Sequence, residues 1–89
     1  AVLLQSSREL TSLIRQDPEV ASYHYDLAVV FNMLADIQLV FGDKEQAREY
    51  VEQAKAAMGP LKDQMEAVPA YQQQWEMLET LADRLTTQS

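Results

Sequence analysis

Apolar residues recur along this chain at intervals of three and four, in four blocks. That spacing marks one face of an α-helix. Alternation of period two never persists beyond a few residues, so the pattern predicts helices and no sheet. The first block sets Leu3, Leu10, Leu13 and Ile14 on one stripe and stops at Asp17-Pro18. Proline disfavours helix in the residue before it but suits a first turn, and Asp17 is a good N-cap. A second helix is therefore expected from Pro18. It carries two stripes. Val20, Tyr23, Leu27, Val30, Phe31, Leu34 and Phe41 form one, and Val29, Met33 and Val40 form another. A helix apolar on more than one side must be packed on more than one side, which makes this the central helix.

Gly42-Asp43 is a stop–start signal: glycine can close one helix in the left-handed conformation, and Asp43 can cap the next, with Gln46 in the capping-box position. The third block carries Ala47, Tyr50, Val51, Ala54 and Met58, and its stripe continues through Leu61 and Met65 despite Gly59-Pro60. One helix kinked there is expected, with a break into two as the alternative, because Pro60 removes a backbone donor. The fourth block shows Tyr71, Trp75, Leu78, Leu81, Ala82 and Leu85, then frays into Thr86-Thr87-Gln88-Ser89. The expected helices span about 2–16, 18–41, 44–66 (kinked near 59–60) and 69–86. The fold class is all-α, in a single domain covering 1–89.

Displacing the chain against itself by 48 residues aligns Leu13 with Leu61, Gln16 with Gln64, Val20 with Val68 and Tyr23 with Tyr71. One residue of slip later, Leu34-Ala35-Asp36 meets Leu81-Ala82-Asp83. Such repeats are supersecondary units that bury their apolar faces by stacking. Within the middle unit, Phe31, Leu34, Ala35, Gly42, Ala47, Val51 and Ala54 resemble the pattern of the tetratricopeptide repeat, over about residues 28–60. Four features depart from it: Gln38 replaces the usual aromatic, Lys44 follows the turn, Gly59-Pro60 stands at or just after the usual closing proline, and the spacing to the next unit is long. The resemblance implies four antiparallel helices stacked as helix–turn–helix hairpins, a fragment of a right-handed superhelical array. The first helix of each unit would line a concave face. Its exposed positions would then be Val29, Asn32, Met33, Asp36 and Val40 in the second block, with Glu76, Glu79, Thr80 and Asp83 in the fourth.

Composition narrows the function. The chain has 89 residues, 47% hydrophobic and 24% charged, with a formal charge of −7. That balance excludes disorder, and the acidity argues against a nucleic-acid surface, which needs a basic face to release counterions. No cysteine is present, so there is no disulfide, thiol nucleophile or thiolate metal site. The longest apolar run, Leu27-Ala28-Val29-Val30-Phe31, is far short of the roughly 20 residues of a membrane span. No signal peptide is visible, and a cytoplasmic location is expected. The chain begins without methionine inside an amphipathic pattern, and we expect it to be part of a longer protein.

The chemistry-bearing residues are few. His24 is the sole histidine, and with no second nitrogen or sulfur ligand nearby it reads as a packing or rim residue. Glu76, Glu79 and Asp83 share a face of the fourth block; they could hold a hard cation, but they read first as a solvated acidic face. Two isolated glycines build no phosphate loop, and the serines lack the context of a nucleophile. No enzyme, cofactor or metal is expected. A carboxylate clamp is not expected either, since Asp36, Glu79 and Asp83 have the wrong sign. The expected function is a protein-interaction module taking a helix or peptide with apolar and basic residues. The alternative is a self-associating helical domain, a homodimer without separate ligand.

Overall fold

In the computed structural model, residues 2–87 are described. Gln88 and Ser89, expected to fray, lie outside them, as does Ala1. The elements run α1 (Val2–Gln16), α2 (Ala21–Val40), α3 (Lys44–Met58), a 3₁₀ helix (Gly59–Gln64) and α4 (Pro69–Thr87). The protein is all-α, with its helices packed on one another as helical hairpins.

Local chemistry explains most boundaries. Asp43 accepts a hydrogen bond from the Gln46 N–H at 3.0 Å and so caps α3. Gly42 sits at φ 83°, a left-handed conformation that a side chain would oppose, and closes the turn between α2 and α3. At Gly59-Pro60 the outcome is neither a simple kink nor a clean break. Gly59 keeps right-handed dihedrals (φ −49°, ψ −50°), and the α-helix tightens into 3₁₀ turns. Pro60 falls at the start of that 3₁₀ segment, where its missing N–H costs little.

One boundary differs from expectation. α2 starts at Ala21, not at Pro18, and Asp17 is not its N-cap. Instead the Asp17 carbonyl accepts from the Val20 N–H at 3.3 Å, closing a turn, and extended Val20 occupies the cap position. Buried His24 secures this turn: its Nε2–H donates to the Pro18 carbonyl at 2.8 Å. The entries of α2 and α4 share one backbone bond. Val20 accepts from Tyr23 N–H at 3.2 Å, and Val68 accepts from Tyr71 N–H at 3.0 Å. These two bonds stand 48 residues apart, as the aligned Val and Tyr pairs do.

The α2–α3 hairpin is the most extensively packed pair. Ala28 and Ala35 on α2, with Ala47 and Ala54 on α3, are wholly buried. Without bulk at those positions the two backbones approach closely. Met58, Leu61, Leu78 and Leu85 are the largest side chains sealed inside, and they join the hairpin to the 3₁₀ segment and α4. α1 packs on α2 alone to any extent, and Ser7 is its sole buried residue. α2 touches α1, α3, the 3₁₀ helix and α4, but the stripe of Val29, Met33 and Val40, expected to be packed, is not covered: Val29 is half-buried and the other two are exposed. Met33, Ile37, Val40 and Phe41 are exposed, the last two at 84% and 78%.

Candidate partner-binding groove

α2 and α4 meet over a narrow strip and leave between them a groove of about 390 Å³. The helical step of 100° decides what faces it. On α4 the buried stripe is Gln74, Leu78, Leu81 and Leu85, and the adjoining stripe Gln73, Met77, Thr80 and Arg84 turns to the groove. On α2 the facing residues are Asn32 and Asp36. Glu76 completes the rim.

Of the nine expected positions the structure brings four together here: Asn32, Asp36, Glu76 and Thr80. Asn32 departs from expectation in one respect. It is buried, not exposed, because α4 folds over it and makes it part of the floor. Met33 and Val40 are exposed but sit on the neighbouring flank of α2, and Val29 beside them is half-buried. Glu79 and Asp83 are exposed but do not line the groove. The rim is accordingly less acidic than expected: Asp36 and Glu76 contribute two negative charges, and Arg84 contributes a positive one.

Gln73, Met77, Leu81 and Arg84 were absent from the expected set. Leu81 belongs to the leucine stripe itself; the signal for Gln73, Met77 and Arg84 is their spacing with Thr80, four, three and four from Gln73 to Arg84, one step around the wheel from that stripe. α4 is held in place partly by Trp75, whose ring has Lys62 Nζ at 4.8 Å and Lys55 Nζ at 5.5 Å from its centroid. Among the described residues, no three His, Cys, Asp or Glu side chains converge as metal ligands. No helix there is long and apolar enough to cross a membrane. Compared with known proteins, the chain matches no family model, no curated protein and no solved structure.

Proposed function

We propose that this chain is a non-enzymatic protein-interaction module of the tetratricopeptide-repeat kind, acting as a scaffold for a helix or peptide that carries apolar and basic residues. One observation carries the reading: the α2–α4 groove sets Met77 and Leu81 beside Asp36 and Glu76, and adjoins the exposed apolar flank of Met33 and Val40. Apolar side chains of a partner would be buried along this surface, and its Lys or Arg residues would be steered by the two carboxylates. Arg84 at the same groove favours a partner whose positive charge is concentrated toward one end.

The test is titration with an amphipathic helical peptide bearing Lys and Leu, against a Glu-for-Lys counterpart. The Asp36→Asn/Glu76→Gln variant should bind the basic peptide about two- to tenfold more weakly, as two partly screened charges allow, with a shallower salt dependence. Preference for the acidic counterpart would defeat the reading.

A second reading, self-association without a separate ligand, draws on a different observation. Val40 and Phe41 form an exposed apolar pair at the end of α2, a surface that a second copy could cover.

A further inference from the structure

A second cleft, of about 420 Å³, lies between α1 and α3 over α2, away from the groove described above. Its volume falls within the roughly 300–1,000 Å³ of small-ligand sites. Phe31 from α2 and Tyr50 from α3 form its aromatic surface, their rings near-parallel (23°) with centroids 6.0 Å apart. The α1 wall presents Leu4, Arg8 and Arg15.

Charge is what sets this cleft apart. In a chain of net charge −7, Arg8 and Arg15 are the only cations before Lys44, and both line it. Seven residues apart on a helix, they fall on the same side, about 10 Å from each other along the axis. Neither guanidinium makes a hydrogen bond or ion pair with another described residue. Two hydroxyls of the wall are turned back on the helix, Ser7 Oγ donating to the Leu4 carbonyl at 2.8 Å and Thr11 Oγ1 to the Ser7 carbonyl at 2.7 Å, and Ser12 lies between the arginines on the same wall. The cleft thus joins a flat apolar surface to two open guanidinium forks, a donor geometry that matches carboxylate, sulfonate or phosphate oxygens.

We propose that the α1–α3 cleft binds a small amphipathic anion, with an aryl or acyl body against Phe31, Tyr50 and Leu4 and its acidic head on Arg8 and Arg15. The site is independent of the α2–α4 groove, and either can fail without the other.

The experiment titrates the whole chain with anilinonaphthalene sulfonate and, in parallel, with neutral phenylnaphthylamine, following dye fluorescence and amide NMR shifts. The sulfonate should bind saturably, shift the amides of α1 and of Tyr50–Gln53, and be displaced by octanoate. Arg8→Gln/Arg15→Gln should weaken it about tenfold, leave the neutral dye within about twofold, and leave the circular dichroism unchanged. Asp36→Asn/Glu76→Gln should leave sulfonate binding intact. Salt should weaken binding to the unmodified chain, a readout that holds even if the arginine variant unfolds. Non-saturable binding, or sulfonate affinity indifferent to both the arginines and salt, overturns the proposal. Displacement by an acidic peptide but not by octanoate overturns the small-ligand class and assigns the cleft to a protein partner.

Discussion

Gln74 is 5% exposed on the buried stripe of α4, and its Nε2 has no hydrogen-bond partner. A buried donor left unpaired costs on the order of 1–3 kcal/mol, whereas an apolar side chain of similar shape at the same place carries no such penalty. Gln74→Met should therefore stabilise the fold by about 1 kcal/mol, raising Tm by roughly 4–8 °C for a domain of this size. A loss of stability on thermal melting would mean that the amide is satisfied after all. Single residues also mark what was legible beforehand. Gly42 and Asp43 declare the hairpin in the sequence because their chemistry is local: one positive φ and one cap bond. Asp17 misled for the same reason. Its cap potential is real, but His24 reaches the Pro18 carbonyl and the local bond of Asp17 to Val20 makes a turn instead.

At the scale of elements, the helices differ in how firmly they are held. α3 buries Ala47, Val51, Ala54, Ala57 and Met58, but α1 buries Ser7 alone and leaves Val2, Leu4 and Leu13 exposed. Local opening is cheapest where few apolar groups are covered. In native-state hydrogen exchange, the amides of α1 should exchange faster than those of α3. Equal or greater protection along α1 would contradict the packing described above. The stripes read from periodicity placed α3 and α4 well, since a helix's apolar stripe and its own axis are properties of one segment, but on α1 Leu13 of the expected stripe is exposed and Leu3, Leu10 and Ile14 are only half-buried. On α2, periodicity led to the expectation that both stripes would be covered, and the stripe of Val29, Met33 and Val40 is not. That depended on where α1 and α4 landed.

The whole molecule is a slab, with extents of 36 × 30 × 15 Å. Its accessible area of 5692 Å² exceeds the roughly 5,300 Å² expected of a compact monomer of 10.1 kDa. So thin a body cannot cover α2 all round, which is why Met33, Ile37, Val40 and Phe41 remain in water. Two influences on self-association then oppose each other: the apolar flank favours it, and the net charge of −7 resists it. Sedimentation should show a monomer at low salt and concentration-dependent association once salt screens the repulsion. Phe41→Asp should suppress that association. A monodisperse monomer under every condition would remove the self-association reading and leave the apolar flank to a separate partner.

Helix number, the capped hairpin, the buried alanines and the repeated Val–Tyr helix entries were written in the order of residues, because each depends on neighbours within a turn or two. The membership of the two clefts was not. Whether Asn32 meets Thr80, or Arg8 shares a cavity with Tyr50, is set by the angles at which separate helices cross. Those angles come from close packing of side chains distant in the chain, a property that no single segment carries.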